Sequence, residues 1–163
     1  MITDRPRRLA GVSYVGYQRY SLTLCTDFRR PTFQSEDVVN SVLEQLRQTC
    51  SLCEFALTAY CFMHDHLHVL ATGKSERADL CDFVKRFKQS TAFAYRKAHK
   101  ESLWQPGYHE RILRDDEATE AVVRYILENP IRGGLAKEIG EYPFAGSDVY
   151  TMPELLTAWD KKT

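Results

Sequence analysis

Apolar positions along the chain switch between two periods. Tyr17-Gln18-Arg19-Tyr20-Ser21-Leu22-Thr23-Leu24-Cys25-Thr26 alternates and predicts a first strand, and Phe28 to Phe33 reads as a loop. Ser35 is a plausible N-cap, with Glu36 and Asp37 in the first turn where acids suit the helix dipole. Val38, Val42, Leu43 and Leu46 then give a helical stripe down to about Cys50. Phe55 to Cys61 is an apolar and aromatic run that predicts a second strand, and Val69 to Gly73 ends a third. Within Lys74 to Lys100, Leu80, Phe83, Val84, Phe87, Thr91, Ala94, Tyr95 and Ala98 recur at helical spacing. Trp104-Gln105-Pro106-Gly107 is a turn, and Tyr108 to Arg114 alternates as a fourth strand. Asp115 or Asp116 is placed to cap a helix carrying Ala118, Val122, Tyr125 and Ile126, which must stop near Asn129 because Pro130 cannot continue it. Ile131 to Leu135 turns into a short helix. The tail from about residue 141 reads as an extended flap with a last helical piece at Pro153–Asp160.

The order β-α-β-β-α-β-α predicts an α+β fold, a ferredoxin-like sandwich of an antiparallel sheet with helices on one face. One domain over residues 1–163 is expected, with a basic arm over about 1–12 and the C-terminal tail over about 141–163. Hydrophobic content of 44% and charged content of 27% are ordinary for a globular protein. Formal net charge is zero, so attraction for nucleic acid must come from local clusters. Arg7 and Arg8 in the arm form one cluster. Lys85, Arg86 and Lys88 on the long helix form another, although such a face is commonly just solvated. No apolar run approaches the roughly 20 residues of a membrane helix, and the N-terminus lacks a signal-peptide core, so a cytoplasmic location is expected. Cys50-Ser51-Leu52-Cys53 has metal or redox spacing but no second pair, and is read as structural.

The candidate chemistry lies in Met63-His64-Asp65-His66-Leu67-His68-Val69-Leu70. On a strand, His66 and His68 share a face roughly 6.5–7 Å apart along the chain, while Leu67 points into a core. Two neutral imidazoles there are two-thirds of a metal site; the plainer reading is the polar face of a half-buried strand. Tyr125 and Asn129 are four apart and so share a helix face, offering a phenol and an amide oxygen. Alone, the pair reads first as a core tyrosine and a helix terminator.

Together these stretches resemble the HUH single-tyrosine transposases, and more narrowly the REP-associated tyrosine transposases of bacteria. The resemblance runs from about Tyr17 to Tyr150. It includes Lys85-Arg86-Phe87-Lys88-Gln89-Ser90-Thr91-Ala92, Trp104 to Arg111, Tyr125 to Leu135, and Tyr142-Pro143-Phe144. It implies His66, His68 and Asn129 as metal ligands, Tyr125 as nucleophile, and Mg2+ or Mn2+ as the metal. Single-stranded or hairpin DNA is the implied substrate, cleaved and rejoined through a 5′-phosphotyrosine, by a monomer or homodimer acting at the nucleoid. One departure is His64, where the family often has proline; on the strand face it would be a fourth ligand, and at the strand end a surface residue. Lys85, Arg86, Lys88, Gln89, Thr91, Arg7 and Arg8 are the candidate DNA contacts. Two other readings stay open: a hairpin-binding module that no longer moves DNA, and a structural zinc domain using His64, His66, His68 and Cys61.

Overall fold

The computed structural model describes residues 11–161, so Arg7 and Arg8 lie outside the described residues. In chain order the elements are β1 (Arg19–Cys25), α1 (Glu36–Cys53), β2 (Phe55–Met63), β3 (His66–Gly73), α2 (Leu80–His99), β4 (His109–Ile112), α3 (Thr119–Leu127), α4 (Asn129–Arg132), β5 (Ala145–Gly146) and α5 (Met152–Asp160). Two 3-10 turns, Asp27–Arg29 and Thr32–Gln34, fill the predicted loop after β1.

The strands form one antiparallel sheet in the order β4-β1-β3-β2-β5. β1 and β2 both pair with β3, so they run parallel to each other and α1 is the crossover between them. α2 likewise carries the chain from β3 across to β4. This is the ferredoxin-like arrangement that the sequence predicts. β5 adds an edge against Tyr60 and Cys61, and just before it the Phe62 N–H donates to the Phe144 carbonyl (2.8 Å). The predicted flap thus runs along β2.

The helices cover both faces of the sheet, where the sequence pattern suggested one. Leu67, Val69 and Ala71 of β3 join Tyr20, Leu22 and Leu24 of β1 in a core under α1 and α2. Leu70 and the β2 residues Ala59 and Cys61 join Val123, Ile126, Leu127, Leu155 and Trp159 in a second core under α3 and α5. The physical reason is visible in β2 and β3, whose apolar residues run almost continuously instead of alternating. A strand apolar on both faces needs cover on both. A bulge between Leu57 and Ala59 shifts the register, so Leu57 and Tyr60 reach the first core and Ala59 and Cys61 the second.

Local signals explain most helix starts. Ser35 accepts from the Val38 N–H, Asp79 from the Asp82 N–H (3.2 Å), and Thr151 with Glu154 makes a capping box. α3 departs from expectation. Neither Asp115 nor Asp116 caps it; Ala118 stands at the cap position. The preceding turn is closed instead by Glu117, whose carboxylate accepts from Arg111 (2.8 Å) and from the Arg114 N–H (3.2 Å). Among the described residues no helix is long and apolar enough to cross a membrane.

Candidate functional site

Met63 pairs with His66, so His64 and Asp65 are the turn of the β2–β3 hairpin and β3 begins with the histidines. Alternation along β3 sends Leu67 into the α1–α2 core and turns His66 and His68 to the face covered by α3 and α4. The two rings stand perpendicular with centroids 4.7 Å apart, and their Nε2 atoms approach to 3.1 Å. Each Nδ1 has its own partner. Asp65 Oδ1 lies 2.7 Å from Nδ1 of His66, and Thr23 Oγ1 lies 3.1 Å from Nδ1 of His68. Thr23 is placed there by register, since it is the β1 residue opposite His68. Arg29 holds Asp65 from behind, with Nε donating to Oδ2 at 2.9 Å.

This is how ligating histidines are usually braced: the outer nitrogen is engaged by the protein, and the inner one keeps a lone pair. In the tautomer that carries both protons on Nδ1, directed at Asp65 and Thr23, two Nε2 lone pairs converge at 3.1 Å, an arrangement that a cation can bridge; with one ring protonated on Nε2 the same contact is a hydrogen bond between the rings. Burial, then the neighbouring His66 and Arg132, pushes His68 down to about 4, so it is neutral at pH 7, the form that binds metal. Burial tends to raise Asp65, but hydrogen bonds from Arg29 and His66 outweigh it and hold the carboxylate below its usual range.

His64 stands apart, at the hairpin turn, with Nδ1 3.4 Å from Gln34 Nε2. Cys61 is opposite His68 on β2, but burial pushes its thiol up to about 12, so it stays protonated. No group of three or more His, Cys, Asp or Glu side chains suited to a metal occurs among the described residues. A structural zinc site therefore has no ligand set here. Cys50, pushed up to about 12 by burial, fits the structural reading of its pair.

α3 lies on the histidine face through Val123, Ile126 and Leu127. α4 packs against β2, so tightly that a Cβ on the following Gly133 would stand 2.7 Å from Met63 Cε. Asn129 is partly buried, and its Nδ2 donates to the Ile126 carbonyl (3.2 Å), leaving Oδ1 as the free end of the amide. Tyr125 is 61% exposed. These two residues are not on one continuous helix: α3 ends at Leu127 and α4 begins at Asn129, with Pro130 in its first turn. The Tyr125 carbonyl accepts from Arg132 Nη2, and the Arg132 guanidinium sits 4.1 Å over the Tyr125 ring. Glu128 accepts from both Arg124 (2.8 Å) and Arg132 (3.5 Å). Arg132 thus touches the tyrosine while its charge is felt at His68.

The candidate DNA contacts on α2 do not converge on this site. The buried side of α2, with Leu80, Phe83, Val84 and Phe87, packs on the opposite face of the sheet. Lys85 and Gln89 are exposed there, and Arg86 pairs with Asp82 (2.8 Å). Lys88 donates to the carbonyls of Gln105 (3.1 Å) and Gly107 (2.8 Å), bracing the turn before β4. Thr91 is a correction: it is 1% exposed, and its hydroxyl donates to the Phe87 carbonyl and accepts from Trp104 Nε1, both inside the core.

Sequence reasoning missed Asp65, Thr23, Arg29 and Arg132. Asp65 was visible as the neighbour of His66, and Arg132 as a cation two helical turns beyond Tyr125. Thr23 and Arg29 reach the site only through strand pairing, which has no short-range signal.

The fold and site define a class: a small α+β sandwich whose central strand carries a convergent histidine pair beneath a tyrosine-bearing helix. The family model of IS200-like transposases matches residues 14–129, a span that holds His66, His68, Tyr125 and Asn129, and the chain belongs to that family. It is similar to a putative REP-associated tyrosine transposase of Haemophilus influenzae, 24% identical over 137 residues and 77% of each chain. It is also similar to a REP-associated tyrosine transposase of Escherichia coli, 26% identical over 91 residues, 56% of this chain and 53% of that one. Among solved structures, a REP-associated tyrosine transposase bound to a REP hairpin superposes with a TM-score of 0.70 at 18% identity, covering 85% of this chain and 82% of that one. A putative transposase from Deinococcus radiodurans gives 0.52 at 25% identity, covering 75% and 97%.

Proposed function

We propose that the chain is a metal-dependent strand transferase for single-stranded DNA that cleaves and rejoins hairpin, REP-like sequences through Tyr125. The observation that carries this reading is the pair of Nε2 atoms facing each other at 3.1 Å on the face that α3 and α4 cover. Membership of the IS200-like family and similarity to REP-associated transposases support it.

His66, His68 and Asn129 would hold Mg2+ or Mn2+. All three are neutral ligands, so the bound ion keeps its full positive charge to polarise a phosphodiester. The protein supplies the rest. Asp65 and Thr23 keep both imidazoles aimed, and the Asp65 carboxylate, as an acceptor, favours the proton on Nδ1 of His66. Arg132, whose guanidinium lies 4.1 Å over the Tyr125 ring, places positive charge where the phenol would meet the phosphate. In the reaction, Tyr125 Oη bonds to phosphorus and loses its proton to solvent. The bond from phosphorus to the 3′-oxygen breaks, and that oxygen takes a proton. One phosphoester replaces another, so the strand can be rejoined without a nucleotide cofactor.

The test is a denaturing gel of 3′-labelled hairpin DNA with a single-stranded flank, incubated with Mn2+. Wild type should give a covalent protein–DNA band that EDTA abolishes. Tyr125→Phe should give none while retaining its fold and its hairpin binding, because this half-exposed ring contributes little to the core. Binding with no adduct in wild type would mark a hairpin-binding module instead. An adduct that persists in Tyr125→Phe would move the nucleophile elsewhere, first to Tyr108.

A further inference from the structure

Phe28 is the most exposed large apolar side chain among the described residues, 82% open to solvent. Its backbone holds it there. Phe28 and Arg29 both have φ of 53°, in the left-handed region that residues other than glycine, asparagine and aspartate seldom enter. The turn is nevertheless firmly closed. The Arg29 N–H donates to the Thr26 carbonyl (3.0 Å), and the hydroxyl of fully buried Thr26 donates to the Arg30 carbonyl (2.7 Å). Strain of this kind persists where the surroundings fix it, and it gathers at binding sites. Here it presents an aromatic ring instead of tucking it away.

The position of the turn gives the ring a context. It leaves β1 at Cys25, which pairs with His66. Its Arg29 is the residue that braces Asp65 behind His66. Arg30 lies 5.3 Å from the Phe28 ring centroid, and the ring remains open. The adjoining side chains, Asp27, Arg29 and Arg30, are charged. A lone ring beside Arg30, which keeps only a long 3.9 Å contact to Asp27, suits a base next to a phosphate; an apolar protein partner would need a wider apolar patch.

We propose that Phe28 is a stacking platform for one unpaired nucleobase of the DNA strand held at the histidine pair, with Arg30 beside it for a neighbouring phosphate. This rests on the proposed function and adds to it a site for the single-stranded flank.

The experiment measures affinity, by fluorescence anisotropy, for a hairpin with a single-stranded flank and for the same hairpin cut blunt. Base–aromatic stacking predicts that Phe28→Ala lowers the flanked-to-blunt affinity ratio by about 5- to 100-fold, and that Phe28→Trp restores it. Abasic substitution at one flank position should cost wild type the same factor and cost Phe28→Ala nothing further. An unchanged ratio in Phe28→Ala, with wild type binding the flank, overturns the platform and leaves the proposed function standing. Wild type that binds neither DNA overturns both. Light scattering that shows Phe28→Ala turning a dimer into a monomer, with the ratio unchanged, assigns the ring to self-association and also overturns it.

Discussion

At the scale of single residues, the site depends on groups that hold other groups. The histidine pair is legible in the sequence because a two-residue period on a strand is a local property. What braces the pair is less so: Thr23 is 45 positions from His68 and meets it only because β1 and β3 pair in one register. Asp65 is the most informative of these positioning residues. Its carboxylate links the Arg29 guanidinium at 2.9 Å to the His66 imidazole at 2.7 Å, so it fixes both the tautomer and the angle of the ring. Losing such an outer partner typically lowers metal affinity 10- to 100-fold. Asp65→Ala should therefore weaken Mn2+ binding by about that factor in isothermal titration calorimetry, with the circular dichroism spectrum unchanged. Affinity equal to wild type would show that His66 is aimed without it.

At the scale of elements, the apolar pattern located α1, α2 and β1 to β4 to within a few residues, the helices and β1 by one dominant buried stripe and β2 and β3 by nearly continuous apolar runs. Two features escaped it. α3 starts on Ala118 because Arg111 and the Arg114 N–H engage Glu117 in the preceding turn, an arrangement with no cap signature. The helix carrying Tyr125 also breaks at Glu128, so Tyr125 and Asn129 sit on separate pieces joined through Glu128 and Arg132. Thr91 shows how a polar residue on a helical stripe can be core. Its hydroxyl is the acceptor, at 2.8 Å, for the buried indole N–H of Trp104, which ties α2 to the segment leading to β4. Thr91→Val keeps the shape and removes that acceptor, leaving a buried donor unpaired. A loss of about 1–3 kcal/mol is expected, read as a lower urea midpoint at constant slope. No change in midpoint would mean that the indole finds another acceptor.

At the scale of the whole molecule, the sheet separates two surfaces that the linear sequence cannot tell apart. Lys85 and Arg86 follow the histidines by fewer than 25 positions, yet α2 carries them on the opposite face. The fold class was legible from the order of elements. The second helical layer was not, because burial of both strand faces shows in the sequence only as a loss of alternation. The consequence concerns where DNA lies. With formal net charge zero, the protein has no general attraction for a polyanion, so each productive phosphate interaction must be local. Arg29, Arg30 and Arg132 surround the histidine end, whereas a strand touching Lys85 and Arg86 as well would have to wrap around a sheet edge. The Lys85→Ala/Arg86→Ala double variant should therefore bind a flanked hairpin within about twofold of wild type. It should also keep the same slope of log affinity against log salt, since removing a cation that neutralises one phosphate flattens that slope by about 0.9 on paired DNA and about 0.7 on a single strand. A slope flatter by nearly two units would place the DNA across both faces and return these side chains to the binding surface.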